Sequence, residues 1–267
     1  IGDIDSINLE IVQKAHKILK NKIKYILLGN INESYKYLKK IRSKLVINEI
    51  INPLNIENYN PSCLNFFNIE NISKKKYVNL INQIHICNYL SNTSKIDLIT
   101  LPINKALFKR EIEFIGMTEY LAKINKRNTF MLMYGENFSV IPITTHINLN
   151  EVKNFINKKY LDKSLNEIKI QTQKKIYKLN FRSIRFLCYN PHCGESNTIG
   201  FEDKIIAESI SKFKKITGPH SADSAFKNLN YKNLLFISMY HDQVLIPFKI
   251  LNKKGINLTM GLNYRRL

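Results

Sequence analysis

The sequence has few glycines, only nine among 267 residues. None of them forms the Gly-x-Gly-x-x-Gly pattern that follows the first strand of a Rossmann dinucleotide-binding unit, and no Walker-type Gly-Lys-Ser/Thr occurs. A dinucleotide would therefore have to bind in a way that differs from the Rossmann mode. This absence argues against an ordinary dehydrogenase.

Long apolar runs and paired cysteines are also missing. No stretch reaches the roughly 18 uninterrupted apolar residues that a membrane span requires, and residues 1–11 lack the basic and apolar segments of a signal peptide. The cysteines, Cys63, Cys87, Cys188 and Cys193, form no Cys-x-x-Cys pair and are too few for a disulfide scaffold. The sequence therefore predicts a soluble cytoplasmic protein with reduced thiols and no membrane partner.

Acidic residues are scarce: 21 Asp and Glu stand against 41 Lys and Arg, which gives a formal net charge of +20. Such a charge invites a nucleic-acid interpretation, and salt-sensitive binding to DNA or RNA would test it. However, the lysines are spread along the whole chain among abundant Asn and Ile, which is typical of AT-biased codon usage, and no RNA-recognition, zinc-finger or basic-zipper signature occurs. We therefore expect no nucleic-acid partner. A small phosphorylated substrate would also suit a basic cleft.

The hydrophobic pattern alternates between strand-like and helix-like segments, which predicts an α/β fold with a mainly parallel sheet. The length fits one large or two modest domains. Residues 50–72, rich in Asn, predict a loop. The predicted helices cover 8–20, 33–42, 74–91, 105–110, 201–215 and 222–228, with one beginning at Thr118 and a long helical signal over 149–178; the predicted strands cover 24–28, 45–49, 96–101, 129–134, 138–143, 183–188, 234–239 and 256–260.

Three of the six histidines, His146, His192 and His241, follow directly on short apolar, strand-like runs. In open α/β sheets, the carboxyl ends of the strands form the edge at which ligands bind. Three imidazoles are a common metal-ligand set that leaves a position open for water or substrate. Taken singly, however, a histidine at a strand end is more often a hydrogen-bonded structural residue, and spacings of 46 and 49 residues match no local metal motif. The flanking residues must decide.

Seven strings of residues occur in the order in which they occur in a known family. They are TLPINKALF (100–108), GMTEYLA (116–122), TTHINL (144–149), NPHCGE (190–195), GPHSADSAF (218–226), MYHDQVLIPFK (239–249) and GINLTMGLNYRR (255–266). In this order they resemble the 4-hydroxythreonine-4-phosphate dehydrogenase family of pyridoxal phosphate biosynthesis. The resemblance spans nearly the whole chain.

The resemblance implies two α/β/α domains with a cleft between them, similar to isocitrate and isopropylmalate dehydrogenases, which bind NAD without the Rossmann fingerprint. Residues 1–112 together with 246–267 are expected to form the first domain, and 113–245 the second. The resemblance also implies that His146, His192 and His241 bind a divalent metal, which the sequence does not distinguish among Zn, Mg, Co and Mn. In the family this site is shared between two subunits, so an obligate homodimer is expected.

The resemblance further implies that Thr118, Lys249, Asn257 and Arg266 contact a phosphorylated substrate. A lysine and an arginine suit a phosphate and a carboxylate, because both supply fixed positive charge.

Three further residues are candidates for catalysis, each with a plainer alternative. Asp242 could orient its neighbouring histidine or accept a proton, but a capping carboxylate is equally consistent with its position. Lys105 could meet phosphate or be a solvated lysine. Asp223 could be catalytic or only favour the dipole of a short helix.

The implied reaction is the oxidation of 4-phosphooxy-L-threonine by NAD or NADP to 2-amino-3-oxo-4-phosphooxybutanoate, which decarboxylates to 3-amino-2-oxopropyl phosphate. A metal with an open position suits both steps, because it stabilises the alkoxide and then the enolate. The residues that bind the nicotinamide cofactor are not identified. Two alternatives remain: a dehydrogenase of a related phosphorylated hydroxy acid, and a degraded, non-catalytic homologue.

The sequence departs from the family at three places. Met117 stands where the family has a substrate-contacting histidine. The stretch 2–10 retains Gly2, Asp3 and Glu10 but lacks the later glycines of a family loop. Finally, the family continues beyond the residue that corresponds to Arg266, whereas this sequence stops at Leu267. A truncated or diverged member is therefore expected.

Overall fold

The computed structural model describes residues 1–108, 111–112, 114–227 and 233–267. By their contacts the residues form two compact units, Ile1–Gly116 and Met117–Leu267. This division differs from the predicted one, which assigned residues 246–267 to the first domain. These residues lie in the second unit because their strand pairs with a strand of that unit's sheet. The predicted boundary at residue 113 and the predicted helix end at residue 228 lie outside the described residues. No helix of the described part is long and apolar enough to cross a membrane.

The first unit contains a short parallel sheet. Its strands β1 (Leu27–Gly29), β2 (Ile47–Glu49) and β3 (Leu64–Asn68) are ordered β1-β3-β2, and its helices are α1 (Asn8–Leu19), α2 (Ile31–Lys40) and α3 (Lys76–Ser94). The apolar side of α1 meets α2 and the sheet in a core that includes Leu9, Leu38 and Phe66. The helix α2 begins where the side chain of Asn30 accepts a hydrogen bond from the amide of Glu33, which satisfies one of the free N–H groups of the first turn.

The second unit contains a six-stranded sheet of order β7-β6-β8-β5-β4-β9. The neighbours β7, β6, β8 and β5 are parallel, whereas β4 runs antiparallel to both β5 and β9. The strands are β4 (Phe130–Gly135), β5 (Phe138–Pro142), β6 (Ser183–Leu187), β7 (Ile216–His220), β8 (Leu234–Ser238) and β9 (Gly255–Met260). The helices are α4 (Met117–Asn125), α5 (Lys158–Gln173), α6 (Glu202–Ile210), α7 (Ala222–Ala225) and α8 (His241–Leu251).

Helices cover both faces of this sheet, which makes the unit a three-layer α/β/α structure. Alternate residues of β8 contribute to two separate cores: Leu235 and Ile237 pack with α5 and α6, while Leu234 and Phe236 pack with α8. Every residue of β5 and β8 is buried. Central parallel strands are buried on both faces, so they read as continuous apolar runs rather than as alternating patterns. The predicted α/β fold with a mainly parallel sheet is confirmed.

Several elements differ from their prediction. The predicted loop 50–72 contains the strand β3, and the predicted strand 96–101 is irregular apart from a bridge at Leu98. The strand β7 and the helix α8 were not predicted. The helical signal over 149–178 is divided between α5 and two 3-10 segments, Leu149–Phe155 and Lys175–Tyr177. The predicted helix 105–110 is a 3-10 segment over Lys105–Phe108, and residues 109–110 lie outside the described part.

Candidate functional site

The three motif histidines lie beyond the carboxyl ends of three neighbouring strands. His146 follows β5, His241 follows β8 and His192 follows β6, and these strands are adjacent and parallel in the order β6-β8-β5. The pairing of β5 with β8 continues past the strands, since the amide of Thr144 donates to the carbonyl of Met239 at 3.1 Å. The sequence therefore places three imidazoles along one edge of a sheet, the edge at which ligands bind in such folds.

Each of these histidines has a carboxylate partner at Nδ1. The distances are 2.9 Å from His146 to Glu119 Oε1, 2.9 Å from His192 to Glu195 Oε1 and 2.7 Å from His241 to Asp242 Oδ1. A carboxylate at Nδ1 fixes the orientation of the ring and directs Nε2 outward as the ligating nitrogen, which is the usual arrangement around metal-bound histidines. The hydrogen bond that His192 donates to Glu195, with the charge of Asp223, raises the pKa of His192.

Two of the three imidazoles are close together. The ring centroids of His146 and His241 are 5.8 Å apart, with their planes inclined by 38°. In the described part of the chain, no three His, Cys, Asp or Glu side chains gather closely enough to hold a metal ion. The donor set and its carboxylate partners thus suit a divalent metal. The single chain does not bring the third histidine into the same cluster.

His192 begins an unusual turn. Residues 192–197 all have positive φ, a left-handed conformation that only Gly194 adopts without a steric cost. The loop before this turn is fixed from α6, because the buried carboxylate of Asp203 accepts hydrogen bonds from the amides of Tyr189 at 2.6 Å and Asn190 at 2.9 Å. A buried carboxylate that accepts two backbone bonds anchors the approach to His192 firmly.

A second polar cluster contains Arg266, which is only 8% exposed. Its guanidinium donates to the hydroxyls of Thr118 at 3.3 Å and Thr259 at 3.0 Å, and its carbonyl accepts from the amide of Thr259. Burial lowers the pKa of Arg266 to about 10, against the opposing effects of Tyr264 and Glu119. The guanidinium still carries its charge at neutral pH. Thr118 and Arg266, 148 residues apart in the chain, are thus brought into contact.

Glu119 links the histidine edge to the Arg266 cluster, because it contacts His146 and follows Thr118 in the chain. It was not among the residues predicted for the site. It follows Thr118 in the first turn of α4, and its Oε1 also accepts a hydrogen bond from the Thr145 hydroxyl at 3.4 Å. Its side chain is 29% exposed, and Oε2 is buried without a hydrogen-bond partner among the described residues. The signal for Glu119 in the sequence was its place in the GMTEYLA string (116–122), one of the seven strings that resemble the family.

The other predicted substrate residues do not take part in the hydrogen bonds that define these two clusters. Asn257 is exposed on the edge strand β9, two residues before Thr259. Lys249 is exposed in the last turn of α8, eight residues after His241, or about 12 Å along the helix axis. Met117 is half-buried at the first residue of α4, next to Thr118.

The three candidate catalytic residues occupy different elements. Asp242 is 74% exposed, and its carboxylate bonds its neighbour His241. Asp223 lies in α7, and a hydrogen bond from the Ser221 hydroxyl, helped by the charge of His192, lowers its pKa. Lys105 is exposed at the start of the 3-10 segment of the first unit. Asp242 therefore lies at the histidine edge, Asp223 is electrostatically linked to it through His192, and Lys105 belongs to the other unit.

Comparison with known proteins gives one consistent family. A family model described as pyridoxal phosphate biosynthetic protein PdxA matches residues 7–267. A 4-hydroxythreonine-4-phosphate dehydrogenase from Sulfurihydrogenibium sp. is 31% identical over 281 residues, which cover 100% of this chain and 86% of the relative. Another from Hydrogenobaculum sp. is 40% identical over 173 residues, 63% of this chain. The aligned part spans 54% of that relative's length.

Solved structures share the fold. A 4-hydroxythreonine-4-phosphate dehydrogenase from Burkholderia phymatum superposes with a TM-score of 0.78 at 20% identity, over 99% of this chain and 86% of the other. One from Klebsiella pneumoniae gives a TM-score of 0.75 at 23% identity, over 90% and 79% of the two chains. The predicted isocitrate and isopropylmalate dehydrogenase-like fold class is thereby confirmed. With the family model matching almost the entire sequence, the chain belongs to the pyridoxal phosphate biosynthetic protein PdxA family.

Proposed function

We propose that this protein is a metal- and NAD(P)-dependent dehydrogenase that oxidises 4-phosphooxy-L-threonine to 2-amino-3-oxo-4-phosphooxybutanoate, which decarboxylates to 3-amino-2-oxopropyl phosphate. One observation carries the proposal: in a member of this family, three histidines with carboxylate-held rings stand at the carboxyl ends of three adjacent parallel strands. The curated relatives named above are called 4-hydroxythreonine-4-phosphate dehydrogenases.

His146, His192 and His241 would hold the divalent metal through Nε2, since Nδ1 of each is already bonded. A bound Zn, Mg, Co or Mn ion would act as a Lewis acid toward the substrate hydroxyl and toward the keto group of the product. Only His146 and His241 are adjacent within one chain. A homodimer in which two subunits complete the site accounts for this, and we include it in the proposal.

Arg266 and Thr118 would bind an anionic group of the substrate, with Asn257 and Lys249 as further contacts. Arg266 suits a phosphate or carboxylate because a guanidinium presents paired donors, and its bonds to Thr118 and Thr259 already fix its plane. Asp242 is the residue of the three catalytic candidates that touches a proposed metal ligand, and its carboxylate orients the His241 ring. Asp223 would act near His192, and Lys105 would meet phosphate.

A related phosphorylated hydroxy acid is the second candidate substrate, and Met117 favours it. A thioether neither donates a hydrogen bond nor carries charge, so the position beside Thr118 offers less to a polar substrate group than a histidine would. A substrate that lacks the amino group would lose less from this replacement.

Formation of NADH or NADPH by the purified protein tests the proposal. The assay supplies 4-phosphooxy-L-threonine, either cofactor and each of the four metals in turn, and a panel of four-carbon phosphorylated hydroxy acids is compared. Turnover with the first substrate is expected. Preference for an acid without the amino group favours the second candidate, and binding of metal and substrate without any turnover identifies a degraded homologue.

A further inference from the structure

We infer that Glu119 is a positioning residue that serves both halves of the site: it orients His146 toward the metal and balances the charge of Arg266 at the anion-binding group. The inference rests on the proposed function, because it assigns the metal to His146 and the substrate anion to Arg266. Glu119 touches neither ligand itself. It acts through the two side chains that do.

Glu119 contacts the proposed metal ligand His146 directly. Glu119 Oε1 lies 2.9 Å from Nδ1 of His146 and also accepts from Thr145, so the carboxylate is held between two groups of the segment that follows β5. Its side chain is 29% exposed, compared with 52% for Glu195 and 74% for Asp242. A less solvated carboxylate interacts more strongly with its partner, because water screens it less. Among the three carboxylate partners, Glu119 should therefore contribute most to holding its histidine.

Glu119 also follows directly on a residue of the Arg266 cluster. Thr118, the preceding residue in α4, accepts a hydrogen bond from the Arg266 guanidinium. Glu119 Oε2 is buried and has no hydrogen-bond partner among the described residues. A buried carboxylate oxygen without a donor is costly unless a cation compensates its charge. Arg266 is a buried cation on which this charge acts. Glu119 raises the pKa of Arg266, although burial lowers it by more.

These two roles make opposite predictions for the two ligands. Removing the carboxylate should weaken metal binding, because the His146 ring loses its orientation and part of its basicity. The same change should strengthen anion binding, because the positive charge of Arg266 is no longer partly neutralised. A residue that merely supported the fold would not produce a gain in one affinity and a loss in the other.

Glu119→Ala and Glu119→Gln test this directly in the whole protein. Zn²⁺ affinity is measured by competition with a chromophoric chelator, and inorganic phosphate affinity is measured by calorimetry on the metal-free protein. We expect Glu119→Ala to weaken Zn²⁺ binding by about tenfold or more. Glu119→Gln, which keeps an acceptor oxygen, should weaken it less. Both variants should bind phosphate about threefold more tightly, because both lose the charge.

Asp162→Asn is the matched control. Asp162 lies on α5 in the same unit, its side chain is 31% exposed, one oxygen pairs with Lys212, and the other is buried without a partner among the described residues. It resembles Glu119 in burial, but its pairing partner is Lys212 rather than His146 or Arg266. Both affinities of this variant should equal those of the unsubstituted protein.

The outcomes separate the inference from the proposed function. A protein that binds neither Zn²⁺ nor phosphate before substitution contradicts the proposed function, and the inference with it. Binding of both ligands that is unchanged in the Glu119 variants contradicts the inference alone. Loss of both affinities in Glu119→Gln also overturns it, since that result assigns Glu119 a structural role only.

Discussion

Met117 stands at the position where the resemblance to the family leads us to expect a substrate-contacting histidine. It begins α4 and precedes Thr118, whose hydroxyl contacts Arg266. A histidine at this position would add a hydrogen-bond donor and, when protonated, a charge beside the anion-binding group. The side chain is half-buried, so a bond made there is only partly screened by water.

Met117→His should therefore raise kcat/KM for 4-phosphooxy-L-threonine by about 10- to 150-fold, because a hydrogen bond to a charged group contributes on the order of 1.5 to 3 kcal/mol. Steady-state kinetics with the natural and the substituted protein measure the change. Met117→Leu keeps the apolar character and should leave kcat/KM as it was. A histidine variant with unchanged or lower kcat/KM would show that this position does not face the substrate.

The histidine positions could be predicted from the sequence because each follows an apolar run, and such runs indicate buried parallel strands. The partner of His146 could not. Glu119 lies 27 residues earlier on a different element, and only the tertiary fold brings the two side chains together. The partner of His241 is its chain neighbour Asp242, so adjacency alone suggested that contact.

At the scale of elements, the loop after β6 determines where His192 lies. The turn from 192 to 197 is left-handed throughout, and Gly194 within it is buried with φ of +78°. A Cβ atom at this position would lie 2.6 Å from the carbonyl oxygen of Gly200, which is closer than real contacts allow. The backbone conformation of this loop therefore requires a residue without a Cβ atom at position 194.

Gly194→Ala should destabilise the protein by about 1 to 3 kcal/mol, since it combines an unfavourable φ with a steric overlap. Urea denaturation gives the free energy of unfolding. Ser196→Ala is the control, because Ser196 already has a positive φ and an exposed side chain, and its replacement should change the free energy little. Equal stability of the Gly194 and Ser196 variants would contradict the role assigned to the glycine.

Helices and strands with a clear period were predictable, and those without one were not. The helix α8 contains Pro247 and begins three residues after the end of β8, so its sequence lacks the usual signals of a separate helix. The strand β7 includes Gly218 and Pro219, which normally indicate a turn, and only its pairing with β6 makes it a strand. The strand β3 lies in an Asn-rich stretch that also contains Pro53 and Pro61, yet both other strands of the first sheet pair with it. Tertiary contacts, rather than the local sequence, determine the secondary structure of these three segments.

At the scale of the whole molecule, the two units hold histidines in different environments, because the three motif histidines of the second unit are partly or largely exposed, whereas a histidine of the first unit is buried. His16 of α1 is 2% exposed; its Nδ1 lies 2.6 Å from the Tyr25 hydroxyl, and its Nε2 is buried without a partner among the described residues. Burial, with the charge of Lys20 adding to it, lowers the pKa of His16 below the ordinary 6.5. The folded state therefore favours the neutral form of this imidazole.

Because the folded pKa is depressed, the unfolded chain binds the proton first as the pH falls, and stability is lost below about pH 6.5 until the folded group also protonates. We expect the decrease in Tm between about pH 7.5 and 5.5 to be smaller in His16→Gln by about 4 °C. His85→Gln, which replaces an exposed histidine of the same unit, serves as the control and should keep the full decrease. The same loss of Tm in all three proteins would exclude His16 as the cause.

The pairing of β4 with β9 has a consequence for how the protein is made. These strands pair at six positions, from Phe130 with Met260 to Gly135 with Gly255, although about 120 residues of chain separate them. During translation, β4 and α4 leave the ribosome long before their partner, and the outer edge of β4 stays open for the whole interval. The contact between Thr118 and Arg266 forms only when the ribosome has released residue 266. A nascent chain therefore completes the three strands that precede its histidines only shortly before Arg266, the residue proposed to bind the substrate anion, is synthesised.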